Sequence, residues 1–509
     1  MANLRTSRRT LAAVAATAVM IVAGVSSCAD PLFDVVITNP GMYPVFQSAV
    51  TDYVNRCDPE EQTEVSVEAP PGAIVSIAGR RGRRGAFTER ITQRPNERFT
   101  IVVTLEGNTT VHHVRCLPEG FPEWDAHGSG QPPQSEFYVT TLIAGFAPTN
   151  RPVIFDAHGV PVWWSEPAFS FLTTPLGNGN LASLPITGGM IERRLDGSTV
   201  RVLDTEGAPS DFHDVLLLEN GHYVLVTADY RPCDLTAWGR EPAECLFHEV
   251  QELTPEGDVV WRWRPEEDIP ITETPPRWRG EFDPVRNAVD PWHWNSIEWD
   301  GDGFIVSLRH QDAVYKIDYA TKDIVWKLGG TRRAESLRVI GDRYFDRGSS
   351  ISGQHDARLQ PDGTITLFDN RTNSTNGAQP RSVRYRIDEG AGTATLVHSV
   401  TDPIAPTSPC CGSTRVLPGG NYVTGWGGGP WFTENQPNGA QVFRLEIAGL
   451  MYRAVPLAPG EMSRDALRAG MDAQYDGAVP SEVGRSGPQL PPRDPATAGD
   501  PETRLGAGI

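Results

Sequence analysis

The chain has no basic stripe, no late apolar run and no cysteine spacing of the zinc-finger kind, and each absence removes a class of function. Lys and Arg total 45 against 64 Asp and Glu, a formal charge of −19. Nothing there replaces phosphate counterions, so no nucleic-acid partner is expected. The one dense basic run, Arg80-Arg81-Gly82-Arg83-Arg84, reads as a solvated loop. No glycine-rich phosphate cradle is present, which points away from a nucleotide; no cofactor and no metal are expected.

What the chain does have in quantity is glycine and proline, 50 and 43 in 509 residues. That composition favours many short strands and turns over long helices, and the length calls for more than one core. Near the N-terminus, Arg5, Arg8 and Arg9 precede an apolar run from Leu11 to Val25 that is too short to span a bilayer. The layout is that of a secretory signal over residues 1–28. Val25-Ser26-Ser27-Cys28 resembles a lipobox, and Ser7-Arg8-Arg9 resembles the start of a twin-arginine signal. The expected mature protein is exported and held at the bacterial cell envelope by a lipid on Cys28. The sequence does not set its oligomeric state.

Six cysteines remain after Cys28, an even number that suggests disulfides in an exported chain. Proximity pairs Cys57 with Cys116 and Cys233 with Cys245. The adjacent Cys410 and Cys411 either form a vicinal disulfide or stay reduced.

Residues 31–134 hold strand-like runs at Asp34–Thr38, Glu64–Val67, Ala73–Ala78 and Phe99–Leu105, followed by a Pro/Gly-rich linker from Pro118 to Gln134. Such spacing predicts a small β-sandwich of immunoglobulin or cadherin type. From 135 to 457 the pattern becomes repetitive. Five hairpins align: FLTTPLGNG from Phe171, HDVLLLENG from His213, HWNSIEWDG from His293, HDARLQPDG from His355 and GSTRVLPGG from Gly412. With a first unit at Tyr138–Trp164 they predict an all-β chain with a six-bladed β-propeller. The stretch Arg264–Trp292 is expected as a loop at the rim or over the channel mouth. One helix is expected at Glu461–Ala473, within residues 458–509, whose remainder reads as a disordered Pro/Gly-rich tail.

The first position of the aligned hairpins reads Phe171, His213, His293, His355 and Gly412. First strands line a propeller's channel, so three histidines distant in sequence converge on one ring. Arg309 lies as far after the turn glycine Gly301 as His293 lies before it, which makes the two near cross-strand neighbours. By strand alternation Asn295 shares the face of His293, and Trp292 and Trp294 are either blade packing or an aromatic wall for substrate. Counted across its own turn, His355 faces Asp369 or Asn370, either of which would accept from one ring nitrogen and leave the other to react. Asp214 and Asp356 point to the opposite face and read as structural.

HWNSIEWDGDGFIVSLRH, IVWKLGG and GQHDARLQPDGTITLFDN resemble signature segments of the bacterial arylsulfotransferases, and the similarity extends over most of the region from Tyr138 to Val455. The N-terminal region is similar to the small β-domain found beside that family's propeller. The resemblance implies transfer of a sulfuryl group from an aryl sulfate to a phenol through a sulfohistidine, without a nucleotide donor. It implies His355 as nucleophile, with His213, His293 and Arg309 holding the sulfate. Two other classes compete: a non-catalytic surface propeller that binds a partner or glycan, and a quinoprotein dehydrogenase, suggested by Cys410-Cys411 and the Trp-ended strands but not calling for a histidine ring.

Overall fold

The computed structural model describes residues 36–38, 41–144, 149–166, 168, 170–283, 285–346, 350–372 and 378–475. The expected leader, the lipobox at Cys28 and the tail beyond 475 lie outside the described residues. Among the described residues no helix is long and apolar enough to cross a membrane.

The N-terminal region makes two sheets. One pairs Val36–Thr38, Gln62–Glu68 and Phe87–Thr92; the other orders Asp52–Asn55, Asn108–Cys116, Arg98–Leu105 and Ile74–Ile77. Arg98–Leu105 alternates half-buried with buried positions, the period of a strand with one face in a core. Val65, Val75, Ile101 and Val114 from both sheets meet in that core. The Cys57–Cys116 disulfide ties its end.

Beyond residue 136 the chain is a succession of sheets built on four antiparallel strands, the fifth adding Arg338–Ile340 parallel to Thr393–Val400 and the third interrupted by the hairpin Asp229–Cys233 with Ala243–Phe247. Second to sixth in order, their inner strands are Ser170–Pro175, Leu216–Leu217, Trp294–Trp299, His355–Leu359 and Ser413–Val416. The first sheet differs: Phe137–Leu142, Arg151–Asp156 and Pro161–Trp164 take their inner strand, Ala454–Leu457, from the far end of the chain. Closing the ring by pairing the two chain ends leaves no open edge between first and last sheets. The inner strands of the fourth and fifth, fifth and sixth, and sixth and first sheets lie side by side. This is the arrangement of propeller blades.

Two expectations need correcting. Pro118–Gln134 is not only a linker: Trp124–Gly128 adds a fifth strand to the sixth sheet, against Gln441–Ile447. The helix runs Arg464–Tyr475, starting three residues later than expected. Its Leu467 and Met471 enter the core of the first sheet, while Arg464 and Arg468 pair with Asp52, and Asp472 pairs with Arg98 and Arg115. That helix therefore fastens the N-terminal sheets to the first blade.

The inner ends of the blades are joined by buried ions. Asp214 takes Arg358 at 2.6 Å and Arg453 at 2.8 Å; Asp356 takes Arg358 at 3.1 Å, Arg453 at 3.2 Å and Arg415. Four blades meet in this network. Burial opposes the charge on Asp214, but Arg358 and Arg453 hold its carboxyl below the usual range.

Candidate functional site

Three histidines enter the site at or just ahead of inner strands, two of them held by an aspartate and the third by an asparagine. His213 lies just ahead of the third blade's inner strand, with its N–H and its Nδ1 both on Asp211 Oδ1, at 2.8 and 2.6 Å. His293 precedes the fourth inner strand with φ +46°, its Nδ1 2.5 Å from Asp290 Oδ2 and its N–H on Asp290 Oδ1. Each carboxylate fixes Nδ1 as the protonated nitrogen, which leaves Nε2 as the ring's working end. The two rings meet edge to face, with centroids 5.0 Å apart.

His355 opens the fifth inner strand and is 1% exposed. Its Nε2 accepts from the amide of Cys411 at 3.1 Å, so the proton is on Nδ1, which donates to Asn370 Oδ1 at 2.8 Å and Gly353 O at 2.9 Å. Burial, then the Arg309 charge, push its pKa well below 6.5. Burial and Arg309 likewise bring His293 down to about 4, against the pull of Asp290. In the absence of an anion these rings are therefore neutral at pH 7.

Arg309 follows the fourth blade's second strand and its N–H bonds to the His293 carbonyl at 2.8 Å, the cross-strand relation. Its guanidinium is buried at 5% exposure, lies 4.7 Å over the Trp278 ring, and donates to Pro409 O and His310 Nε2, each at 2.7 Å. Its Nε has no hydrogen-bond partner, and no carboxylate reaches ion-pair distance among the described residues. A buried guanidinium without a carboxylate is costly unless something anionic arrives.

Other expected residues are placed differently. A β-bulge between Trp294 and Ser296 breaks the alternation that was to set Asn295 beside His293. Asn295 instead spans to the fifth blade, donating to Gln354 O at 2.8 Å and accepting from Asp356 N at 3.3 Å. Trp292 and Trp294 are blade packing rather than a substrate wall: they are 3% and 1% exposed in the core between third and fourth blades. Asn370, not Asp369, meets His355; Asp369 points the other way, to Arg381 and the Ser352 N–H. Phe171 packs on Phe212 and Tyr452, and a Cβ on Gly412 would lie 2.3 Å from Phe368. The cysteines form three disulfides, Cys57–Cys116, Cys233–Cys245 and Cys410–Cys411.

Three contributors were missed. His310 ends the motif HWNSIEWDGDGFIVSLRH and sits 4.6 Å from His293, centroid to centroid, donating from Nδ1 to Asp290 O. Tyr452 lies between His213 and His355, at 5.7 and 6.3 Å. Its signal was the ring closure, which brings residues ahead of the last strand into the channel. Trp278, from the Arg264–Trp292 insertion, is fully buried on His310 and bonds Asp312 through Nε1. The insertion thus roofs Arg309.

Asp290, His293 and His310 bring ligand atoms within 4.8 Å of one another. A guanidinium already donates to His310 Nε2, and a metal cation there would face it directly, so the set suits an anion better. On the far side of Asp290, His248 Nε2 stands 3.8 Å from its carboxylate and lines a cavity of about 550 Å³ together with Arg231, Arg262 and Arg264.

The inner ends of the blades of this all-β protein thus bring His213, His293 and His355 together with a buried guanidinium that has no carboxylate at ion-pair distance among the described residues. The sequence model of the family Arylsulfotransferase (ASST) matches residues 130–452. The chain belongs to the arylsulfotransferase family, and aryl sulfate-dependent sulfuryl transfer is that family's activity. No curated protein matches it. Among solved structures it is similar to a protein of unknown function from Bacteroides caccae, at 11% identity over 64% of this chain and 99% of that one, TM-score 0.40. It is also similar to the Cps50 (Swd1) beta-propeller domain of Myceliophteria thermophila, 12% identical over 65% of this chain and 89% of that one, TM-score 0.33. A third is virginiamycin B lyase from Staphylococcus aureus, 9% identical over 81% of this chain and 100% of that one, TM-score 0.33.

Proposed function

We propose that the protein is a six-bladed propeller sulfotransferase with an N-terminal immunoglobulin- or cadherin-like sandwich, exported and lipid-anchored at Cys28, that works by ping-pong transfer through a sulfohistidine on His355. The observation that carries the reading is Arg309: buried, without a carboxylate at ion-pair distance among the described residues, close to His293 and His355, with His213 against His293. An aryl sulfate monoanion supplies the missing negative charge, and its sulfuryl oxygens take the guanidinium and imidazole donors.

In the first half-reaction the Nε2 lone pair of His355 attacks sulfur, the S–O bond to the aryl group breaks, and the phenolate leaves. A proton carried by His293 or His213 passes to the departing oxygen. In the second, an acceptor phenol returns a proton to the same imidazole while its oxygen attacks sulfur. The N–S bond breaks and neutral His355 is regenerated. Dividing one transfer into two steps requires a nucleophile that is unprotonated at neutral pH, as burial beside Arg309 makes His355.

Incubation with 4-nitrophenyl sulfate and phenol tests this: nitrophenolate release should depend on phenol. Absence of release with any phenol, on a folded protein, would leave the non-catalytic binding reading standing.

A further inference from the structure

Residues 408–412 come into the site from the loop before the sixth blade's inner strand, and they touch the reactive groups at several points. The Cys411 N–H donates to His355 Nε2 at 3.1 Å. The carbonyl of the same residue accepts from Asn370 Nδ2 at 2.9 Å, while Asn370 Oδ1 accepts from His355 Nδ1 at 2.8 Å. These hydrogen bonds close a ring that begins and ends at Cys411 and contains both nitrogens of His355. One turn further back, the Pro409 carbonyl accepts from Arg309 at 2.7 Å.

Cys411 has φ +63°, a conformation that a residue with a Cβ keeps only where its surroundings impose it. The bond to Cys410 imposes it covalently, since joining adjacent residues through sulfur leaves the intervening peptide few conformations. The sixth blade makes room for this turn: a Cβ on Gly427 would lie 2.3 Å from the carbonyl oxygens of both Cys410 and Cys411.

We propose that the vicinal Cys410–Cys411 disulfide is the positioning element of the nucleophile, fixing the one turn whose N–H caps His355 Nε2 and whose carbonyl, through Asn370, orients His355 Nδ1. This rests on His355 being the group that accepts sulfur. Before reaction the Cys411 N–H sits on the lone pair. As the N–S bond forms that lone pair is consumed, and the same N–H is left beside the sulfuryl oxygens, where it becomes a donor realised only on the way to the intermediate. The disulfide acts by placing the Cys411 backbone, and through it His355 and Asn370.

The test compares wild type with the C410S/C411S double variant in two assays, one of which needs no sulfuryl transfer. Turnover of 4-nitrophenyl sulfate should fall about 10-fold or more in kcat with KM changed less than about threefold, because geometry at the nucleophile is lost while the sulfate donors remain. Separately, carbethoxylation of the His355 peptide, followed by mass spectrometry against pH, should become faster in the variant as Nε2 loses its cap. Gly427→Ala, which keeps both cysteines but crowds the turn, should move both readouts the same way. Phosphine treatment of wild type, which converts the disulfide to two thiols and takes oxygen from water, should reproduce the loss, and reoxidation of the two thiols with added diamide after the phosphine is removed should restore the rate. It should do so equally in a variant lacking Cys57, Cys116, Cys233 and Cys245. Unchanged kcat and unchanged His355 carbethoxylation in a folded C410S/C411S protein, or free thiols at 410 and 411 in fully active enzyme, would overturn the proposal. Wild type that turns over no aryl sulfate would instead remove the functional reading, while the carbethoxylation comparison still decides the role of the disulfide.

Discussion

Asn370 Oδ1 accepts from His355 Nδ1 at 2.8 Å, and that contact decides which nitrogen of the proposed nucleophile is left to react. The amide cannot be read the other way round, because its Nδ2 donates to Ser408 Oγ at 2.7 Å and Cys411 O at 2.9 Å. Asn370→Ala should therefore lower kcat by roughly 10- to 100-fold with little change in KM, as loss of an orienting partner does. Asp369→Asn, one residue away but facing Arg381, should lower the melting temperature instead and spare kcat. Steady-state kinetics and thermal melts on both variants separate the two roles; equal kinetic effects would contradict the geometry.

His355→Ala should abolish sulfuryl transfer, and Arg309→Ala should reduce kcat by about 10² to 10³, the cost of removing a donor from an oxyanion site. His213→Ala and His293→Ala should slow the reaction strongly with the fold intact. Enzyme quenched with donor alone and digested should carry added SO₃ on the peptide containing residue 355. Undiminished turnover in H355A would remove the nucleophile assignment.

Acid should destabilise the protein in a defined window. His293 falls to about 4, and His355 and His310 are held well below the usual 6.5, by burial and neighbouring positive charge. The unfolded chain therefore binds more protons between about 4 and 6.5. Stability is full above 6.5 and drops as pH falls through that range, by up to about 1.4 kcal/mol per pH unit for each such ring. Urea unfolding at pH 7.5 and 5.0 measures the slope, and H293Q should flatten it. A stability that rises on acidification would contradict the burial of these imidazoles.

The ion network under the site should matter to folding more than to chemistry. Arg453→Ala takes one buried partner from both Asp214 and Asp356, leaving Arg358 to the first and Arg358 and Arg415 to the second, and the loss should cost up to about 3–5 kcal/mol, the range for breaking a buried pair. Denaturant unfolding of the variant checks this; a change within about 0.5 kcal/mol would show that the network relaxes without Arg453.

How far the site was legible depends on the kind of relationship involved. The histidines at His213, His293 and His355 stand out because equivalent positions in repeated hairpins occupy equivalent places in space. Arg309 follows from counting across one turn. Asn295 did not follow from strand alternation, because the bulge after Trp294 interrupts the period on which alternation depends. Trp292 and Trp294 looked equally suited to a pocket wall or a core, and only burial between two blades distinguishes these.

By itself, the sequence determined an all-β chain, its repeated hairpins and the residues of its family signature, because each is a short-range pattern in the chain, while the state of Cys410 and Cys411 stayed open until the structure joined them. Only the tertiary structure decided that Tyr452 stands among the histidines, that Trp278 roofs Arg309, and that Cys411 reaches His355 from the next blade. The reason is physical: these contacts join segments that share no hairpin, and only the packing of neighbouring blades, the ring closure and the insertion over Arg309 bring them together.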